Sequence, residues 1–454
     1  MIMGRRPGRM AIMTEQEARR IVDAVMESAT ADATIVDLVS REGGNTRFAM
    51  NGVTTSGEVS NVGVIVTSTF GARTGRAETN GVDDEAIAAV VRRAEEAARL
   101  APEDPEYVPP LDRAEYADPR AFFESTAAYG PTDRASAVAA AIGEAVERDT
   151  TIAGFLEGYR VAGATANSKG VFGYFPMTWL EYTNTVRTPD GKGSGWAGVR
   201  LHDAAGLDAA ARARVAVEKA MASREVEPLE PGDYPVVLEP AAVAVMAGAL
   251  VGQMDARRAM EGRSYLSAPQ GETRRGQQLV AANVTIETDP LHAVVPGRAW
   301  AGEQLPARPT TWYREGIVET LRFDRYWAQK SGVEPVPEPT NLVMTGESRS
   351  LEELIRDTER GVLVTRLWYI RMLNPTDLTL TGLTRDGTFW IEDGRIAHAV
   401  NNFRWNESPV RFFERAEAMS RAERVADEDW AVSPSYVPAV RSSAFRFSSI
   451  SQAV

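Results

Sequence analysis

The sequence predicts an α+β protein. N-terminal α/β layers, with helices on antiparallel strands, precede a β-rich C-terminal domain built as a sandwich or barrel. Three observations carry this reading. Strong helical and β-prone segments alternate as far as about residue 225, and mostly short β-prone runs follow from about residue 232. The length of 454 residues provides for two or three cores.

The first predicted domain spans 14–100. Thr14-Glu15-Gln16-Glu17 reads as a capping box, and Ala18, Ile21, Val22, Val25 and Ala29 follow at helical spacing. "ATIVDLVSR", "TRFAMNGVTTSGEVSN" and "NVGVIVTSTFGARTGRAET" are β-prone, and Asn51-Gly52 suggests a tight hairpin turn. "VDDEAIAAVVRRAEEAARL" is a helix with acids at its start and arginines toward its end, as the helix dipole prefers. The proline- and acid-rich stretch 101–119 reads as a connector. A central α/β domain over 120–225 follows, with helices at "TDRASAVAAAIGEAVERD" and "LDAAARARVAVEKAMASR" around a β-prone stretch, Thr151 to Arg200. The C-terminal β-rich domain covers 232–454, with hairpin-turn candidates at Asp386-Gly387 and Asp393-Gly394.

Composition narrows the chemistry. Hydrophobic residues make up 44% and charged residues 25%, as in ordinary soluble proteins. The 63 acidic and 50 basic side chains give a net charge of -13, which disfavours nucleic acid and anionic membranes as partners. The one clear basic cluster, "MIMGRRPGRM", reads as a loose tail, and either Met1 or Met13 fits as the start. The tail lacks the apolar core of a signal peptide and no run is long enough to span a bilayer, so a cytoplasmic location is expected. With no cysteine, disulfides, thiolate zinc sites and cysteine nucleophiles are excluded.

Only His202, His292 and His398 remain as histidines, and none lies in a zinc-binding spacing. Gly193-Ser194-Gly195-Trp196-Ala197-Gly198 matches a dinucleotide fingerprint as text. It leads into a β-like run rather than a helix, so a glycine-rich turn between strands is expected. Aromatics from Trp312 to Trp430 read as core and edge packing of a β-rich domain, with an interface or peptide groove as the functional alternative. Within "LEPAAVAVMAGALVGQMDARRAMEGRSYLS", Val243, Met246, Leu250 and Met254 recur at helical spacing. From Val243 to Gly252 no side chain could bind a metal, move a proton or attack a bond.

That segment, with "EQLPARPTTWYREGIVETLRFDRYWAQKSG", "PTNLVMTGES" and "GTFWIEDGRIAHAV", resembles the TldD/PmbA family of metallopeptidases along nearly the whole chain. In the catalytic branch the resemblance implies a helix bearing H-E-x-x-x-H, with two zinc-binding histidines, a general-base glutamate and a cysteine ligand from near the C-terminus. Aligned on "RSYLS", Ala247 and Gly252 stand at the histidine positions and Gly248 at the glutamate, and no cysteine follows. The likeness is therefore to the PmbA (TldE) branch, which lacks the zinc motif.

The resemblance implies a non-catalytic, metal-free subunit that pairs with a TldD-type zinc-bearing chain. The heterodimer would degrade or process unfolded peptides, with zinc in the partner and no cofactor in this chain. Ser264, Tyr265, Thr340 and Asn341 are the expected groove-lining residues. Two alternatives stand beside this. One is a stand-alone homodimeric peptide-binding protein using strand addition; the other is a hydrolase with relocated chemistry, using carboxylates and a histidine such as His202 or His292.

Overall fold

The computed structural model describes residues 12–451, so the basic stretch "MIMGRRPGRM" lies outside the described residues. The chain is α+β. The predicted capping box opens helix α1 (Glu15–Ser28): the Glu17 amide donates to the Thr14 hydroxyl at 3.2 Å, and the Thr14 amide donates to the Glu17 carboxylate at 2.8 Å. Strands β1 (Ala33–Ala49), β2 (Gly52–Phe70) and β3 (Arg73–Thr79) then form a meander, closed by helix α2 (Asp84–Leu100). After the connector come helix α3 (Pro131–Glu147), strands β4 (Thr151–Asn167), β5 (Phe172–Arg187) and β6 (Ser194–Leu201), and helix α4 (Ala209–Ala222).

All six strands share one antiparallel sheet in the order β3-β2-β1-β4-β5-β6. The join is the β1–β4 pairing, in register from Ile35 opposite Asn167 to Phe48 opposite Gly154. Because strand side chains alternate, one face takes all four helices. Val36, Leu38, Val64, Val66, Ala164 and Ala166 pack under α1 and α2, while Phe48, Ile152, Leu156, Leu180, Tyr182 and Val186 pack under α3 and α4. The opposite face turns toward the C-terminal half.

The "GSGWAG" stretch is not a turn between strands but lies almost entirely within β6. Its glycines let α4 approach closely. A Cβ on Gly195 would meet the Ala216 carbonyl oxygen and come within 2.6 Å of the Ala220 nitrogen. The Asn51-Gly52 hairpin forms one residue early, with Met50 and Asn51 at positive φ between paired Ala49 and Gly52. Asp393-Gly394 makes a hairpin turn as expected. Asp386-Gly387 does not. It forms a bulge, also at positive φ, because Val364 pairs with Thr388 and Arg366 already pairs with Arg385.

The C-terminal half contains a closed barrel. Strands β7 (Gly232–Leu238), β8 (Arg360–Asn374), β9 (Thr379–Glu392), β10 (Phe403–Glu407) and β11 (Val440–Ile450) pair in the ring β8-β7-β11-β10-β9, which closes back on β8. The second sheet is made of shorter strands, among them Ile286–Thr288, Thr310–Arg314, Leu342–Met344 and Ser435–Val437. Between β7 and these strands runs helix α5 (Pro240–Gly252), buried at every position from Ala241 to Val251. A helix that is apolar all round has no solvent face to offer. It joins one apolar cluster with Val236, Val364, Leu342, Trp312, Trp405, Phe412 and Phe445. Trp312, Tyr313 and Trp405 are therefore core residues, each worth about 2 kcal/mol or more of burial.

The glycine in β6 sets a stability requirement. Gly195→Val should lower unfolding stability by about 2 kcal/mol or more in urea titration, since α4 must retreat to admit the side chain. A loss below about 0.5 kcal/mol would show that α4 moves freely.

Candidate functional site

The segment that carries the family resemblance, α5, is packed on all sides, and at Gly248 it meets backbone directly. Across it lies the irregular segment Val425–Val432. A Cβ on Gly248 would meet the Trp430 carbonyl oxygen, and would lie 2.6 Å from Ala431 Cα and 2.9 Å from the Val432 nitrogen. Position 248 therefore has no room for any side chain. Ala247 is fully buried, whereas Gly252 is exposed with open space where its Cβ would be.

Val425–Val432 acts as a strap between the two halves of the protein. On the sheet side, the Arg200 amide on β6 donates to the Val425 carbonyl at 3.2 Å, and the Arg200 guanidinium pairs with Asp427 and with Glu181 at 3.3 Å. On the barrel side, Arg366 of β8 holds Glu428 at 3.0–3.1 Å. Two further bridges fix the same seam: Lys219 of α4 meets Glu239 at the start of α5 at 2.6 Å, and the Ser194 hydroxyl donates to Asp386 of the β9 bulge at 2.7 Å.

The open sheet face beneath the strap is charged and aromatic. Glu157 of β4 lies opposite Glu181 of β5, which lies opposite Arg200 of β6. Arg41 stacks on Tyr159 at 3.5 Å, and Arg200 on Trp179 at 4.2 Å. Three carboxylates here exceed two guanidinium groups, in partly dry surroundings. Burial, reinforced by the Asp427 charge and opposed by Arg200, pushes Glu181 up to about 8. Burial also raises Glu157 and takes Glu428 to about 7 against the pull of Arg366.

The expected groove residues turn inward instead. The Tyr265 hydroxyl donates to the Leu250 carbonyl at 2.9 Å and lies 3.1 Å from the Tyr313 hydroxyl, both contacts buried. Asn341 donates to the Asp289 and Val295 carbonyls at 2.6 and 2.5 Å and accepts from the Asp289 amide at 3.0 Å. Ser264 is buried and accepts from the Leu266 amide; Thr340 is buried against Gly297. All four are buried: Tyr265 ties to α5, Asn341 ties the Asp289–Val295 loop, and the Thr340 hydroxyl has no hydrogen-bond partner among the described residues.

The histidines stand apart from one another. His202 lies between the Thr178 and Pro296 carbonyls at 2.7 and 3.2 Å, and burial lowers its pKa. His292 accepts from the Val294 and Val295 amides, and His398 lies 3.6 Å from Glu227. Among the described residues no three His, Asp or Glu side chains converge to hold a metal.

Sequence reasoning missed the strap. Its signal was available in "ADEDW", three consecutive acids before a tryptophan in a non-periodic stretch, but only folding reveals which guanidinium groups they meet.

Comparison with known proteins decides the family. Residues 231–449 match the model of the PmbA/TldA metallopeptidase C-terminal domain. The C-terminal half of the chain carries a domain of the TldD/PmbA family. Its fold is that of several crystal structures. TldE from Thermococcus kodakarensis superposes with a TM-score of 0.82 at 17% identity, covering 95% of this chain and 99% of that one. A candidate DNA gyrase modulator from Thermotoga maritima gives 0.78 at 16% identity, with 95% and 99% covered. Another from Bacteroides thetaiotaomicron gives 0.80 at 17%, with 96% and 99% covered. None of the curated proteins compared matches the sequence.

Two outcomes follow from this arrangement. Gly248→Ala should cost about 1–3 kcal/mol and make the segment around Trp430 more sensitive to limited proteolysis, because the new methyl displaces the strap backbone. The second concerns pH. Glu181 binds its proton more tightly folded than unfolded, so the folded state holds protons that the unfolded chain has released. Stability should fall as pH rises from about 4.5 to about 8 and then level off. Glu181→Gln should flatten that decline in urea titrations across the range, whereas an unchanged slope would place the titration elsewhere.

Proposed function

We propose that this chain is the metal-free, non-catalytic subunit of a TldD/PmbA-type heterodimeric peptidase that degrades or processes unfolded peptides. The observation that carries the reading is the contact at Gly248. Zinc hydrolysis needs about three protein ligands and an open position for an activated water. The positions to which the resemblance assigns the histidines and glutamate hold Ala247, Gly252 and Gly248, which supply no donor atom. Gly248, moreover, lies against the backbone of Trp430–Val432, so a general-base carboxylate has no space there. These residues do not fit a zinc ion.

The chemistry then belongs to a zinc-bearing TldD-type partner, and this chain contributes shape. Its sheet, strap and barrel are joined by paired charges, which gives it a firm wall to present. Among the described residues no helix is long and apolar enough to cross a membrane. The acidic balance of the chain disfavours nucleic acid, and we place the complex in the cytoplasm.

The pure chain should carry no stoichiometric zinc by metal analysis and should leave an unfolded peptide uncleaved. Co-expression with a partner bearing H-E-x-x-x-H should give co-purification and chelator-sensitive cleavage. Chelator-insensitive cleavage by the isolated chain would overturn the proposal.

A further inference from the structure

The helical face of the sheet carries two apolar clusters, one under α1 and α2 and one under α3 and α4. Between them lies a polar band that strand pairing builds in two rows. Ser60, Glu42 and Arg160 stand side by side on β2, β1 and β4, and Glu58, Gly44 and Gly158 form the next row. A cleft of about 560 Å³ opens over these rows, lined by Glu42, Glu58, Gly158 and Arg160 with Phe122 and Tyr129 as its apolar wall. That volume is in the range of small-ligand sites.

Charges of both signs meet in this cleft. Buried Glu42 accepts from the Ser60 hydroxyl at 3.1 Å and from Arg160 at 3.1–3.2 Å, and the Arg160 guanidinium also donates to the Ala127 carbonyl at 2.5 Å. Glu58, its side chain 34% exposed, pairs with the wholly buried Arg134 of α3. The Arg134 Nε donates to nothing among the described residues, so donor capacity remains at this wall. Two glycines keep the floor low. A Cβ on Gly44 would meet the Glu58 carboxylate, which is therefore turned in over that glycine. Gly158 is under no such constraint: a Cβ there would meet nothing closer than 3.7 Å. Its missing side chain leaves space in the cleft and relieves no clash.

We infer that this cleft binds a zwitterion of dipeptide size, its ammonium on Glu58 and Glu42 and its carboxylate on Arg160. Each carboxylate already has its own guanidinium, so a ligand of net charge would leave one pair unbalanced. A zwitterion answers both signs at once. Two strand spacings and one row separate Glu58 from Arg160, which sets their Cα atoms about 12 Å apart. With the Glu58 carboxylate turned in over Gly44, the remaining span suits the roughly 7 Å between the ends of an extended dipeptide. Its side chains would lie against Phe122 and Tyr129. The cleft is on the sheet face opposite the strap, so this inference does not rest on the function proposed above.

The test is calorimetric titration of the full chain alone with L-alanyl-L-leucine. Saturable binding is expected. N-acetyl-alanyl-leucine and alanyl-leucinamide, which each lack one terminal charge, should bind at least about tenfold more weakly. Gly158→Val fills the cleft from its floor and should abolish binding with the thermal unfolding midpoint unchanged. Glu58→Gln should weaken the free dipeptide about tenfold while leaving the N-acetyl analogue where it was, because that analogue has no ammonium to lose. This second variant decides the matter if Gly158→Val does not fold. No binding at millimolar dipeptide overturns the inference. So does a capped analogue that binds as well as the free dipeptide, a folded Gly158→Val chain that still binds, or a Glu58→Gln chain of unchanged affinity. Cleavage assays with a zinc-bearing partner report on the proposed function and do not enter this outcome.

Discussion

The contact between a backbone segment and a single missing side chain organises the functional half of this protein. Where Trp430, Ala431 and Val432 cross α5, position 248 must be glycine, because any Cβ would fall inside the van der Waals envelope of main-chain atoms. Backbone cannot retreat as the tip of a flexible side chain can. The strap, once seated, brings Asp427 to Arg200 on the sheet and Glu428 to Arg366 on the barrel. One steric allowance on a helix thus lets a short loop tie two layers together.

The polar seam around the strap is a specification device more than a source of stability. Ion pairs that leave water recover their desolvation cost only with good geometry. Here the balance is uneven: Glu157, Glu181 and Asp427 share Arg41 and Arg200. Burial and the Asp427 charge raise the pKa of Glu181, which favours its neutral form and eases the excess. Lys219–Glu239 and Ser194–Asp386 add directional contacts between the sheet half and the barrel half. Hydrophobic burial holds each half together and also bridges them, at Trp196 with Ala241 and Ala426 and at Phe175 with Ala299, while the charges add directional contacts at the seam.

Much of the site was legible in outline and little in detail. The blankness of "AVMAGALVGQ" was visible directly, since alanine and glycine announce the absence of ligand atoms without any geometry. Which neighbour requires the glycine was not visible, because Trp430 lies far along the chain and its loop has no periodic pattern. Ser264, Tyr265, Thr340 and Asn341 show the opposite case. Polar residues beside a family segment suggest a groove, but Tyr265 and Asn341 spend their hydrogen bonds on carbonyls of their own chain. Polarity in sequence does not distinguish a side chain that greets a ligand from one that satisfies a buried loop.

By itself, the sequence determined the local elements. The capping box at Thr14, the helical spacing of Ile21, Val22 and Val25, and the turn at Asp393-Gly394 follow from hydrogen bonding and backbone conformations within a few residues. It also determined what chemistry α5 lacks. Only the tertiary structure decided that β1 pairs with β4 across the connector, that Asp386-Gly387 is a bulge, and that "ADEDW" straps the sheet to the barrel. The β1–β4 pairing joins segments more than a hundred residues apart, the bulge depends on how β9 registers against β8, and the strap depends on charged partners in both the sheet and the barrel. No local rule specifies which of many β-prone segments or charged groups meet, and the choice is made by the packing of the whole chain.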